Sequence, residues 1–217
     1  MKRDRHHSMD IRGTYTVVLK GGYPLQLRMV DIARGVGIAL LNCNDEGYEK
    51  IDAIVAELVD MVRPYQPAAV VGIPEQGIPL VHGVGRALGL PRSYLLRKTP
   101  KGFDVEPLVY DYTSVTRPDV VQRLYLPRDH ARELHGKKVA IIEDVANTGM
   151  SLKAVLELFR KAGTEWGIHI DVVGIFLVLT EGYSWRAALG EDARLVHALG
   201  HIPVFRPACY EIIPGTE

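Results

Sequence analysis

Twice along this chain a short, continuously apolar stretch passes through a tight turn into a stretch with apolar residues at helical spacing. Residues 68–73 lead through Pro74-Glu75-Gln76-Gly77 into a helix predicted over 78–88. Residues 138–142 lead through a turn at 143–149 into a helix predicted over 151–162, and a further apolar strand follows at 170–180. Strands without a polar face, alternating with helices, belong to parallel sheets covered on both sides. The expected class is therefore α/β, with a central, mostly parallel sheet flanked by helices. In such sheets ligands collect at the carboxyl ends of the strands, which directs attention to the loops at 74–77 and 143–151.

The rest of the chain fits around that sheet. Residues 14–19 and 23–30 are rich in strand formers and flank Lys20-Gly21-Gly22, as in a hairpin. Ile51, Ile54, Val55, Leu58 and Val62 define a helix over 48–62 that Pro64 stops, and residues 93–97 read as a strand. The polar stretch from Lys98 to about Val121 is longer than an ordinary connection and reads as a mobile functional loop. With 217 residues, 47% of them hydrophobic, the chain suffices for one domain over 11–217. Residues 1–10 read as a disordered N-terminus or tag remnant, with Met9 a candidate start.

Composition removes several classes of function. Lys plus Arg and Asp plus Glu are both 26, so a broad electrostatic grip on nucleic acid or an anionic membrane is not expected. The longest apolar run, 172–179, is too short to span a bilayer, and no secretory leader is recognisable. Cys43 and Cys209 stand far apart and read as reduced thiols, so a cytoplasmic protein is expected.

The richest local signal is Val139-Ala140-Ile141-Ile142-Glu143-Asp144-Val145-Ala146-Asn147-Thr148-Gly149-Met150-Ser151. A buried strand delivers two adjacent acids, and a helix then opens beside two hydroxyls and a glycine. Free backbone N–H groups and the dipole at a helix N-terminus hold a phosphate, with Thr148 and Ser151 adding donors. Gly149 is expected to let the backbone approach the phosphate oxygens. Glu143 and Asp144 can accept hydrogen bonds from a polyol such as ribose. Together the pieces describe a site for a sugar monophosphate, although taken alone the hydroxyls could simply cap the helix.

Residues 143–151 resemble the phosphoribosyl-pyrophosphate (PRPP) signature of the type I phosphoribosyltransferases. The resemblance extends over roughly 68–205. Val70-Val71-Gly72-Ile73-Pro74-Glu75-Gln76-Gly77 is similar to that family's pyrophosphate loop, and Arg97-Lys98-Thr99-Pro100-Lys101 to the start of its catalytic loop. Tyr112-Thr113-Ser114-Val115-Thr116 and Leu199-Gly200-His201-Ile202-Pro203-Val204-Phe205 are similar to the adenine phosphoribosyltransferase-like, purine branch. The resemblance implies transfer of ribose 5-phosphate from PRPP to a nucleobase, with loss of pyrophosphate through a cation-like transition state. Glu143 and Asp144 would hold the ribose hydroxyls, and Val145, Ala146, Asn147, Thr148, Gly149, Met150 and Ser151 the 5-phosphate. Glu75, Gln76, Gly77, Arg97, Lys98 and Lys101 would attend the pyrophosphate, the two lysines serving catalysis with the acid pair. Mg²⁺ would be held mainly by PRPP, with Asp144 contributing. A hood from residues 11–45 and 181–217 would cover the base, with Tyr15, Tyr23 and Glu181 as candidate contacts. A homodimer is also implied.

Two positions depart from the family's pattern. Gln76 stands where relatives usually carry Lys or Arg, removing one cation from the pyrophosphate loop. Asn147 stands where enzymes for 6-oxopurines often carry Asp, and an amide cannot act as a base. That counts against hypoxanthine and guanine and leaves adenine, xanthine or orotate, with adenine the first expectation for the base. An orotate enzyme and a PRPP-binding regulator without turnover are the alternatives.

Gly83-Val84-Gly85-Arg86-Ala87-Leu88-Gly89 resembles a dinucleotide fingerprint, but it lies inside a predicted helix and reads as helix packing.

Overall fold

The computed structural model describes residues 11–32, 36–114, 117–206 and 210–217. In chain order, strands β1 (Ile11–Val18), β2 (Pro24–Ile32) and β3 (Val36–Leu40) form a small antiparallel sheet. The expected hairpin is present, and β3 is an addition to it. Helix α1 (Tyr48–Val62), β4 (Ala69–Gly72), α2 (Gly77–Ala87) and the short β5 (Tyr94–Leu95) follow. Next come β6 (Leu108–Ser114), β7 (Arg117–Leu126) and α3 (Arg128–Leu134). The chain continues through β8 (Lys138–Ala146), α4 (Met150–Trp166), β9 (Asp171–Glu181), α5 (Ser184–Leu189) and β10 (Val196–Ile202).

The central sheet has the order β10-β9-β8-β4-β5, with every pair parallel. From β4 the chain winds outward to β5, whereas from β8 it winds the other way to β9 and β10. The winding thus reverses between β4 and β8, and a crevice opens at such a switch point outside the strand ends.

Burial explains why the strands lack a polar face. In β8, Val139 and Ile141 pack with Leu152, Val155, Leu158 and Phe159 of α4. Ala140 and Ile142 point oppositely and join Ile54 and Leu58 of α1 and Leu80 and Val84 of α2. Because successive side chains alternate faces and both faces are covered, each position must be apolar. The fingerprint-like glycines serve the same packing. A Cβ on Gly83 would lie 2.6 Å from Val55 of α1, and one on Gly85 2.6 Å from Ser93.

Three sequence expectations are revised. The polar stretch 98–121 is not one long loop, since β6 and β7 pair as an antiparallel ribbon after residue 107. Leu108 and Tyr112 of β6 and Leu124 and Leu126 of β7 turn into the core, while Asp111 and Arg123 stay exposed. That period-2 pattern makes a strand with one buried face. Strand β8 continues past residue 142 to Ala146, so Glu143 and Asp144 sit in sheet pairing and not in a turn. Helix α4 runs on to Trp166, where Gly167 ends it.

The N-terminal sheet and the C-terminal segment meet. Gly37 and Phe205 exchange backbone hydrogen bonds at 2.9 and 3.2 Å, and Tyr15 packs edge-on against Phe205 at 5.2 Å. Cys43 is buried and unpaired. Residues 1–10, Cys209 and the Val115-Thr116 part of the family-like segment lie outside the described residues. No described helix is long and apolar enough to cross a membrane.

Candidate active site

A cleft of about 920 Å³ opens at the switch point between β4 and β8. It is lined by Ile73, Pro74, Glu75 and Gln76 beyond β4, and by Glu143, Asp144, Val145, Asn147, Thr148, Gly149, Met150 and Ser151 beyond and within β8. Lys98, Thr99, Tyr112, Arg123 and Tyr125 close it from the ribbon side, Ile38 from the N-terminal sheet and Glu181 from the end of β9. The fold therefore brings together residues up to 143 positions apart in sequence, from Ile38 to Glu181.

The β8–α4 connection leaves a helix N-terminus open toward the cleft. Gly149 adopts φ 74°, a left-handed conformation that turns the strand into the helix. A Cβ there would approach Trp185 to 3.0 Å, so the glycine answers backbone shape and packing on Trp185 rather than access to the cleft. No side chain caps α4, and no acid stands in its first turn. Thr148 and Ser151 are thus not used as caps. The first N–H groups of a 17-residue helix remain without intrahelical partners where the cleft begins.

Glu143 and Asp144 differ although they are neighbours. Glu143 is 5% exposed and turned back, with its Oε1 accepting the Asp144 N–H at 3.1 Å. Gly77 makes room for it, because a Cβ at residue 77 would sit 3.0 Å from Glu143 Oε1. Burial pushes the Glu143 carboxyl well above the ordinary range, and the adjacent Asp144 charge adds to this, while Lys98 opposes it. Burial also raises Asp144, against hydrogen bonds from Glu143 and the Val145 N–H and the pull of Lys98. Two crowded carboxyls disfavour ionising both, and burial and the neighbouring charge weigh most on Glu143. Asp144 is then the acid left to meet a cation or hydroxyl in the cleft.

The β4–α2 loop explains Gln76. Its Oε1 accepts the backbone N–H of Asn44 at 3.2 Å, while the Asn44 side-chain amide donates to the Glu75 carbonyl at 3.2 Å. Lys or Arg cannot accept a hydrogen bond, so a cation at 76 could not make this tie. The peptide bond between Pro74 and Glu75 is cis.

Of the three bases expected to face pyrophosphate, only Lys98 lines the cleft. Arg97 Nε pairs with Asp104 at 3.0 Å, and Asp104 also accepts the Lys101 N–H at 2.7 Å, closing a local turn. Lys101 is exposed outside the cleft lining. Gly77 and Ala146 are buried and do not line the cleft. Tyr15 and Tyr23 do not line the cleft; both pack against the core beneath the N-terminal sheet, because the apolar partners of β1 and β2 lie on that side. Sequence reasoning missed Arg123, which pairs with Asp111 at 3.2 Å on the ribbon. The alternation in β6 and β7 is the signal that could have placed it.

Glu181 lines the cleft and is 6% exposed. Ala146 pairs with Thr180 in the β8–β9 ladder, so Asn147 and Glu181 come next in register. Asn147 Nδ2 donates to Glu181 Oε2 at 2.5 Å. Burial raises the Glu181 carboxyl, and the Asn147 bond partly offsets that.

A five-stranded parallel sheet flanked by helices, with an acid pair and an uncapped helix N-terminus sharing its switch-point crevice, defines the α/β class of this protein. A model of the phosphoribosyl transferase domain matches residues 41–194, and the chain belongs to that family. Among solved structures, adenine phosphoribosyltransferase from Thermoanaerobacter pseudethanolicus shares the fold with a TM-score of 0.64 at 17% identity, covering 81% of this chain and 95% of that one. The Giardia lamblia adenine enzyme complexed with 9-deazaadenine gives a TM-score of 0.55 at 20% identity, covering 70% and 80%. In sequence, the chain is 24% identical over 136 residues to the bifunctional protein PyrR of Deinococcus radiodurans, 62% of this chain and 70% of that protein. It is 27% identical over 121 residues to PyrR of Thermus aquaticus, 55% of this chain and 63% of that protein's length.

Proposed function

We propose that the chain transfers ribose 5-phosphate from PRPP to a purine base, adenine first, and releases pyrophosphate. The observation that carries the reading is the crevice between β4 and β8, where an uncapped helix N-terminus stands beside the Glu143–Asp144 pair. The N–H groups of residues 149–151 and the hydroxyls of Thr148 and Ser151 hold the 5-phosphate. Asp144 and Glu143 take the ribose hydroxyls, and the Asp144 charge favours the positive charge that grows on the sugar as the bond to pyrophosphate lengthens. Lys98 and Arg123, the cations of the described cleft lining, offset the negative charge gathering on the leaving group.

The donor set also suits Mg²⁺. Among the described residues no cluster of three His, Cys, Asp or Glu could cage a metal, and Mg²⁺ is commonly held by one or two carboxylates plus substrate phosphates. Asp144 would hold it with the diphosphate oxygens, and the ion would supply charge neutralisation on the leaving group.

A second reading, a PRPP-binding regulator without turnover, is favoured by Gln76, which leaves the pyrophosphate loop without a cation. One experiment separates the two. The protein is incubated with PRPP, Mg²⁺ and a panel of adenine, hypoxanthine, guanine, xanthine and orotate, and pyrophosphate release is measured. Release with adenine supports the enzyme reading. Tight PRPP binding without release for any base supports the regulator, and failure to bind PRPP defeats both.

A further inference from the structure

The far wall of the cleft carries an unsatisfied acceptor. Glu181 Oε1 is buried and has no hydrogen-bond partner in the structure, although the other carboxyl oxygen is held by Asn147. The neighbouring donors are already engaged. The Thr180 hydroxyl meets His201 Nδ1 at 2.8 Å, and the N–H of Gly182 donates to Ile202 at 3.0 Å. Leaving a buried carboxyl oxygen unpartnered is costly. Because Glu181 lines the cleft, the missing donor is one that enters with a ligand. Asn147 fixes the geometry: one Nδ2 hydrogen holds Glu181 Oε2, so Oε1 is the carboxyl oxygen left for a ligand. Ile38 and Val145 line the same cleft and add apolar surface for a flat ring.

We propose that Glu181 selects the acceptor base: its Oε1 takes a hydrogen bond from an exocyclic amino group, so the site accepts amino-substituted heterocycles and rejects those with a carbonyl there. Glu181 is on this account a specificity residue, with Asn147 holding it in position. The inference rests on reading the cleft as a PRPP-dependent transferase site. A carbonyl oxygen facing Glu181 would leave two acceptors opposed in a buried setting, and sites built around such polar pairing discriminate strongly against the mismatched analogue.

Adenine and hypoxanthine, which differ in this one substituent, are the probes. PRPP affinity is measured by calorimetry with Mg²⁺, kcat/KM is measured for both bases, and direct binding of each base is followed by saturation-transfer NMR, for the wild type and for Glu181→Gln. The expected result is a preference for adenine that falls at least roughly 30-fold in the variant, whose amide can donate to a carbonyl, with PRPP affinity within about threefold. An adenine to hypoxanthine ratio unchanged by the substitution overturns the inference, as does a wild-type preference for hypoxanthine. If PRPP does not bind but adenine binds in a Glu181-dependent way, the transferase reading fails and the selection by Glu181 stands.

Discussion

The ends of β8 and β9 both place buried acids in one cleft, yet the two are held differently. At the end of β8, Glu143 and Asp144 are adjacent, crowd one another and feel Lys98. At the end of β9, Glu181 has an amide for a partner and one oxygen without any. The first arrangement couples charges to one another, which suits the ribose and phosphate end of the proposed substrate. The second, on the proposed role of Glu181, reads the hydrogen-bonding edge of an uncharged group. The contrast teaches that similar residues at equivalent strand ends are assigned different tasks by their neighbours.

The largest effect expected from this contrast is on the β8 side. Asp144→Asn should lower kcat by about 100-fold, the usual scale for removing one preorganised electrostatic group. It should not lower Tm, because it also removes a carboxylate whose charge burial disfavours. Steady-state kinetics beside a thermal melt check both halves. Unchanged kinetics would remove Asp144 from the site and dissolve the distinction between the two strand ends.

Why one end was legible in the sequence follows from its construction. Apolar strand, acid pair, Thr148, Gly149 and Ser151 lie within one short segment, and their chemistry depends on local strand-to-helix geometry. The parallel sheet was legible for the same reason, since uninterrupted apolar strands report burial on both faces. Tyr15 and Tyr23 illustrate the limit: nothing in a hairpin's sequence says which face meets the cleft and which the core. That Arg97 and Lys101 stand outside the cleft lining was not legible, because Asp104, a loop acid, closes a turn on them. Glu181 could be proposed as a contact, but its missing partner appears only once β8–β9 register sets it beside Asn147.

Gly149→Ala tests the shape of the β8 end rather than its charge. The left-handed backbone costs an L residue roughly 1–2 kcal/mol, and the added Cβ must also displace Trp185 from 3.0 Å. A fall in Tm of about 4–8 °C is expected for 2 kcal/mol at this chain length. A melt that does not move would mean that the connection readily adopts another shape.

The comparison sharpens further at the cations. Lys98 lines the cleft and Lys101 does not, so Lys98→Met should weaken PRPP binding roughly tenfold, the scale of one charge-assisted hydrogen bond. Lys101→Met should change it by less than about twofold on the same scale. Calorimetric titration of both variants reads the difference. Equal losses would show that the loop folds inward around the ligand.

The smallest effect concerns stability at the β9 end and runs opposite to the effect on function. Burial raises the Glu181 carboxyl, so the folded state holds its proton more tightly than the unfolded chain. The stability linked to this proton is present below the unfolded value near 4.5 and is lost as pH rises through the folded one. At neutral pH the wild type therefore carries an unfavourable buried acid. Glu181→Gln removes this titrating group while keeping an acceptor for Asn147, and should raise stability at neutral pH by about 1 kcal/mol, or roughly 2–4 °C in Tm. The gain should shrink as the melts are repeated toward pH 4.5, where the native acid is itself neutral. A variant less stable than the wild type at neutral pH would mean that Glu181 is a structural acid with its needs met inside the fold, and the two strand ends would then differ in exposure alone.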